Sequence, residues 1–65
     1  MKRLDLVRHI SEHGCIEYRQ GEKHTVFLNP ENGHVSTVPR HREIDIFLAR
    51  KICRQLDIAP PPARA

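Results

Sequence analysis

Apolar side chains recur along this 65-residue chain in two rhythms, a helical one at either end and an alternating one between them. Leu4, Val7 and Ile10 stand three apart with Leu6 beside them, while Lys2, Arg3, Asp5, Arg8, His9 and Glu12 are polar. That spacing predicts an amphipathic helix over residues 3–13, with Gly14 as its C-terminal stop. From Cys15 to Gln20 the pattern turns to alternation, Ile16 and Tyr18 on one face and Glu17 and Arg19 on the other, and Gly21 marks a turn. His24 to Asn29 is a second strand and His34 to Val38 a third, joined by the concentrated turn signal Asn29-Pro30-Glu31-Asn32-Gly33 and closed by Pro39. Beyond the polar connection 40–43, Ile44, Leu48, Ile52 and Leu56 recur every four residues, with Phe47 and Cys53 widening the stripe, which predicts a second helix over about 44–57.

The resulting order, α-β-β-β-α, is an α+β fold: a three-stranded antiparallel meander with two helices on one face and the other face left open. Tyr18 and Phe27 are expected to pack inward with the stripe of the second helix. The domain is expected to span residues 1–58. Residues 59–65 lack apolar periodicity and carry three successive prolines, so they are expected to form a flexible tail. A chain of this size buries only about 60% of its unfolded surface, which excludes a large cofactor-binding fold.

Charge adds a partner class. Eleven Lys and Arg against eight Asp and Glu leave a net charge of +3 before any of the five histidines protonates, which suits a polyanion. The two cysteines, Cys15 and Cys53, lack CxxC spacing and sit in apolar segments, as buried thiols do. No apolar run approaches the ~20 residues of a membrane helix and no secretory signal opens the chain, so a cytoplasmic protein without a membrane partner is expected.

The residue with candidate chemistry is His24, which ends the basic turn Gly21-Glu22-Lys23-His24. An imidazole titrates near neutral pH, and with Arg19, Lys23 and Arg40 around it His24 could move protons beside a phosphate. From its position alone His24 reads first as a solvent-exposed histidine at a strand start with no task. Strand parity separates two cases: if Thr25 and Phe27 point inward, then His24, Val26 and Leu28 share the open face, whereas the opposite parity buries His24. His41, between Arg40 and Arg42, suits either a phosphate contact or the entry to the second helix. His9 and His13 have the i, i+4 spacing of metal ligands, but no third ligand in a recognisable motif accompanies them, so neither a metal nor another cofactor is expected.

Several segments, taken together, resemble the HicA toxin family: a first helix ending in Gly, Arg19-Gln20 before the turn and His24, Val26-Phe27, the Asn29–Gly33 turn, Val38-Pro39-Arg40-His41, and the run Arg50-Lys51-Ile52-Cys53-Arg54-Gln55-Leu56. The resemblance covers roughly residues 2–58. It implies a fold like the double-stranded RNA-binding domain and a small mRNA interferase of a type II toxin–antitoxin module, inhibited by a HicB-like antitoxin. By position, His24 matches the histidine of the family's Gly-Ser-His motif and is the implied catalytic residue, with Arg19, Lys23, Arg40 and His41 as RNA contacts. The chain departs from the family at Glu22-Lys23, where the motif has Gly-Ser, and at Asp45-Ile46-Phe47, where the family has a Lys-Gly-Thr-like stretch. The second expectation, from the binding class, is therefore a module of the same fold that holds RNA or antitoxin without cutting.

Overall fold

A computed structural model describes residues 1–62 and contains, in chain order, helix α1 (Arg3–Glu12), strands β1 (Ile16–Gln20), β2 (His24–Asn29) and β3 (His34–Pro39), and helix α2 (Ile46–Gln55). The strands form one antiparallel sheet in the order β1-β2-β3. Both helices supply the same core as Phe27 and Val38, through Leu6 and Ile10 from α1 and Ala49, Ile52 and Cys53 from α2. The α-β-β-β-α order and the open face therefore stand as expected.

Local chemistry sets where the elements stop. Gly14, at φ +87°, follows α1 in the left-handed conformation, and the Cys15 N–H returns to the Ile10 carbonyl at 3.2 Å, capping the last turn. At the end of α2 the same return runs from the Ile58 N–H to the Cys53 carbonyl at 3.0 Å, with Asp57 in the left-handed position at φ 57°. Between β2 and β3, the buried Asn29 accepts the Glu31 N–H through its side chain and donates to the Leu56 carbonyl at 2.8 Å, tying the hairpin to the end of α2. The second helix starts two residues later than its periodicity suggests. Ile44 and Met1 exchange backbone hydrogen bonds and Glu43 bridges Lys2, so this segment is extended and anchored before the helix begins.

Three packing expectations are corrected. In α1 the buried positions are Leu6 and Ile10, while Leu4 is exposed, because Leu6 and Ile10 are one turn apart on the face that meets the sheet. In α2 the buried stripe is Ala49, Ile52 and Cys53, followed by Leu56; Leu48 is partly exposed and Phe47 is 70% exposed, with Arg50 5.9 Å over its ring. Ile44 still reaches the core, but from the extended segment, which frees the helix to rotate away from the Ile44–Leu48 line. Tyr18 is 65% exposed because Ile16 opposes Leu28 on the face away from the core and alternation puts Tyr18 on that face too; a bulge, with Glu17 opposite Phe27 and Arg19 opposite Val26, leaves it as the extra residue.

Both thiols are free and buried. Burial pushes the Cys53 thiol up to about 11, with the nearby Cys15 adding to the rise, and burial also raises Cys15. Of the segment expected to be a flexible tail, residues 63–65 lie outside the described part of the chain. In the described part, the His9 ring Nε2 lies 2.9 Å from the Ala59 carbonyl and Pro61 is buried.

Candidate active site at the β2 to β3 ladder end

Strand parity decides the face on which His24 lies. Thr25, Phe27 and Asn29 of β2 are buried, and Ser36 and Val38 of β3 are buried beside them. His24, Val26 and Leu28 therefore take the face opposite the core, and His24 is exposed. The other parity, with a buried His24, is excluded.

The backbone around His24 is held from three sides. Its own carbonyl accepts the Gly21 N–H at 2.7 Å, it pairs with Pro39 as the last rung of the β2–β3 ladder, and the Arg40 N–H reaches the Lys23 carbonyl at 3.1 Å. Gly21 has a role in this arrangement: a Cβ there would lie 3.2 Å from the His24 carbonyl oxygen, tighter than most such contacts. The turn therefore draws close to β2 because residue 21 has no side chain. It delivers Lys23 and His24 beside Arg40 and His41, which continue from β3.

These four side chains and Glu22 line one cavity of about 440 Å³. All five are exposed, so the cavity is a wet surface recess carrying two fixed cations, two imidazoles and one carboxylate. Glu22 has no ion-pair partner among the described residues, where the ion pair found joins the Met1 ammonium to Glu43 at 3.4 Å. Chemically, the recess offers a group able to take and return a proton next to charges able to hold a phosphate. His9 and His13 lie together at the other end of α1, with ring centroids 4.3 Å apart, and among the described residues no three His, Cys, Asp or Glu side chains gather to hold a metal.

Lys23, His24, Arg40 and His41 are thus brought together, but Arg19 is not. The bulge places Arg19 opposite Val26, on the same face as His24 and outside its cavity, whereas plain alternation puts it with Glu17 on the core side. Two residues near the site were not singled out from the sequence. The Gln20 side-chain oxygen accepts from Arg40 Nη2 at 3.1 Å, and Arg3 of α1 donates through Nε to the Pro39 carbonyl at 3.0 Å and through Nη2 to Thr25 Oγ1 at 3.1 Å. Arg3 therefore grips the residue after His24 and the residue across from it. Gln20 carried a signal in its adjacency to the turn; Arg3, brought in from 22 positions before Thr25, carried none.

The open face bears a row of apolar side chains. Ile16, Leu28 and Val35 face one another across the three strands, Ile16 and Val35 each 51% exposed, and Val26 lies next to Leu28 on the same face. No helix among the described residues is long and apolar enough to cross a membrane.

The family model described as HicA toxin of bacterial toxin-antitoxin matches residues 4–58. No curated protein and no solved structure matches the chain.

Proposed function

The chain belongs to the HicA toxin family, the toxins of bacterial toxin–antitoxin systems, and we propose that it is an endoribonuclease of messenger RNA with His24 as its acid–base catalyst. The observation that carries this reading is the convergence of His24, Lys23, Arg40 and His41 on one exposed recess. In RNA cleavage by internal transfer, the 2′-hydroxyl loses its proton, its oxygen attacks the adjacent phosphorus, and the 5′-oxygen departs with a proton. The products are a 2′,3′-cyclic phosphate and a 5′-hydroxyl. An imidazole can take the first proton and return it to the leaving oxygen, and positioned acid–base catalysis of this kind contributes about 10²–10⁴-fold. Lys23 and Arg40 stabilise the charge that grows on the phosphorane, and His41 with Arg19 holds the flanking backbone. These groups cover each step without a metal or other cofactor.

A HicB-like antitoxin is the partner we assign to the open face. The Ile16–Leu28–Val35 row is apolar, exposed and continuous with the face that carries His24, so a protein seated on it shields the recess. A messenger substrate sets the work in the cytoplasm. One observation favours a second reading, an RNA-binding or antitoxin-binding module that does not cut: the unpaired Glu22 lines the recess and opposes a phosphate there.

Wild type and His24→Ala, incubated side by side with a long labelled mRNA in the presence of chelator, separate the two. The catalytic reading predicts that His24→Ala cuts at least about 100-fold more slowly while unfolding within about 0.5 kcal/mol of wild type, as exposed substitutions do. Folded wild type that binds the RNA and leaves it whole establishes the second reading instead.

A further inference from the structure

On the core side of the same strand ends lies a second recess, of about 330 Å³ and with an almost wholly polar lining: Arg3, Glu17, Gln20, Thr25 and Arg40. Arg40 lines both this recess and the one at His24, so the two are neighbours that share this residue. We infer that this second recess is a phosphate subsite for the RNA, taking a backbone phosphate next to the one at His24, with Arg3 as its anchor. The inference rests on the ribonuclease reading and deepens it.

Arg3 is half-buried and paired with no carboxylate among the described residues. A guanidinium has five N–H donors, and two are committed here, Nε to the Pro39 carbonyl and Nη2 to Thr25 Oγ1. Those two bonds fix the plane of the group and leave the rest of its fork unspent. A cation taken partly out of water, held in one orientation and given neutral acceptors is prepared for an anion that supplies what the protein does not. Arg40, which is exposed, is tethered by one side-chain bond, to Gln20 Oε1 at 3.1 Å. The carboxylate of the recess, Glu17, accepts from Gln20 Nε2 at 2.8 Å, so Gln20 stands between it and Arg40 as a spacer. Two arginines against one carboxylate leave the recess positive.

A phosphodiester chain suits this arrangement better than an antitoxin carboxylate. Successive phosphates repeat along a strand, as the two recesses repeat with Arg40 between them. Arginine also binds phosphate through paired N–H bonds while carrying no sequence preference, as a backbone subsite requires.

The test measures binding of a fluorescein-labelled, fully 2′-O-methylated single-stranded RNA, which lacks the attacking hydroxyl, to wild type, Arg3→Gln and Glu17→Gln across a range of salt. Arg3→Gln is expected to weaken binding about tenfold and to lower the slope of log affinity against log salt by about 0.7, one phosphate contact on a single strand. Glu17→Gln, which leaves Arg3 and its bonds in place, is expected to tighten binding several-fold, and it serves as the deciding variant if Arg3→Gln does not fold. In wild type, the Arg3 Nε–H NMR signal should shift saturably on titration with inorganic phosphate. Unchanged affinity and slope in folded Arg3→Gln, or no response to Glu17→Gln, overturns the subsite while leaving His24-dependent cutting intact. A wild type that does not bind the oligonucleotide at all overturns the ribonuclease reading and the subsite together. If Arg3→Gln loosens only the antitoxin, the arginines belong to that interface and the subsite is again overturned.

Discussion

Two sides of one three-stranded sheet, built from alternate residues of the same strands, differ in almost every physical respect. On the core side Thr25, Phe27, Asn29, Ser36 and Val38 are all buried, and the polar ones are satisfied by Arg3, the Leu56 carbonyl and Gln55. On the other side Ile16, Val26, Leu28 and Val35 are apolar yet remain at least partly exposed, and His24 stands at the end of the strand that carries Val26 and Leu28. The core side accounts for the fold by itself. The apolar row opposite it leaves accessible surface that the described residues do not cover, and it is the face we propose for the antitoxin.

The contrast is broken most severely from the core side. Phe27 is 3% exposed and touches the cluster that both helices share, so Phe27→Ala is expected to lower stability by about 3–5 kcal/mol, enough to unfold much of so small a domain. Thermal or urea unfolding followed by circular dichroism reads this directly.

One residue further along the same strand, the expectation inverts. Leu28→Glu places a charge at the centre of the Ile16–Leu28–Val35 row and should leave the unfolding midpoint within about 1 kcal/mol of wild type. Antitoxin affinity should fall by about 30-fold or more, the roughly 2 kcal/mol expected of a central apolar contact. Calorimetric titration with the cognate antitoxin decides; an unchanged affinity would place the partner on another surface.

The smallest effect concerns titration in the core. The folded state holds the Cys53 proton up to about 11, above the ordinary thiol value of 9.0, so folding is favoured at lower pH, where the thiol is neutral in both states. As pH rises from 9.0 toward about 11, the unfolded chain releases its proton while the folded one keeps it, and stability declines. The loss is on the order of 2 kcal/mol, from about 1.4 kcal/mol per unit. Urea melts between these pH values should show a shallower decline for Cys53→Ala than for wild type, whatever the difference between them at neutral pH.

The order of elements was legible because each has its own period, and because Gly14 and the Asn29–Gly33 segment punctuate the chain where it turns. The face of each element was harder to read. Periodicity counts residues, so it carries α2 back through Ile44, whereas pairing with Met1 holds Ile44 extended and the helix turns Phe47 outward. Alternation in β1 groups Ile16 with Tyr18 but does not mark their face as the open one, and a one-residue bulge, which alternation cannot show, leaves Tyr18 unpaired and puts Arg19 on that face as well. The site divides in the same way. His24 with Lys23, and Arg40 with His41, are adjacent pairs at the ends of strands whose antiparallel pairing follows from the hairpin, so their meeting could be foreseen. Arg3 reaches Thr25 and Pro39 only because α1 packs across the sheet, a tertiary fact with no local mark.

The chemistry of the cut ends tests the central claim most directly. With chelator present, wild type should leave 5′-hydroxyl ends and 2′,3′-cyclic phosphates on messenger RNA, and His24→Ala should leave neither above background. Products with 5′-phosphate and 3′-hydroxyl ends, or cyclic phosphates formed equally well by His24→Ala, would contradict proton transfer by His24 at this recess.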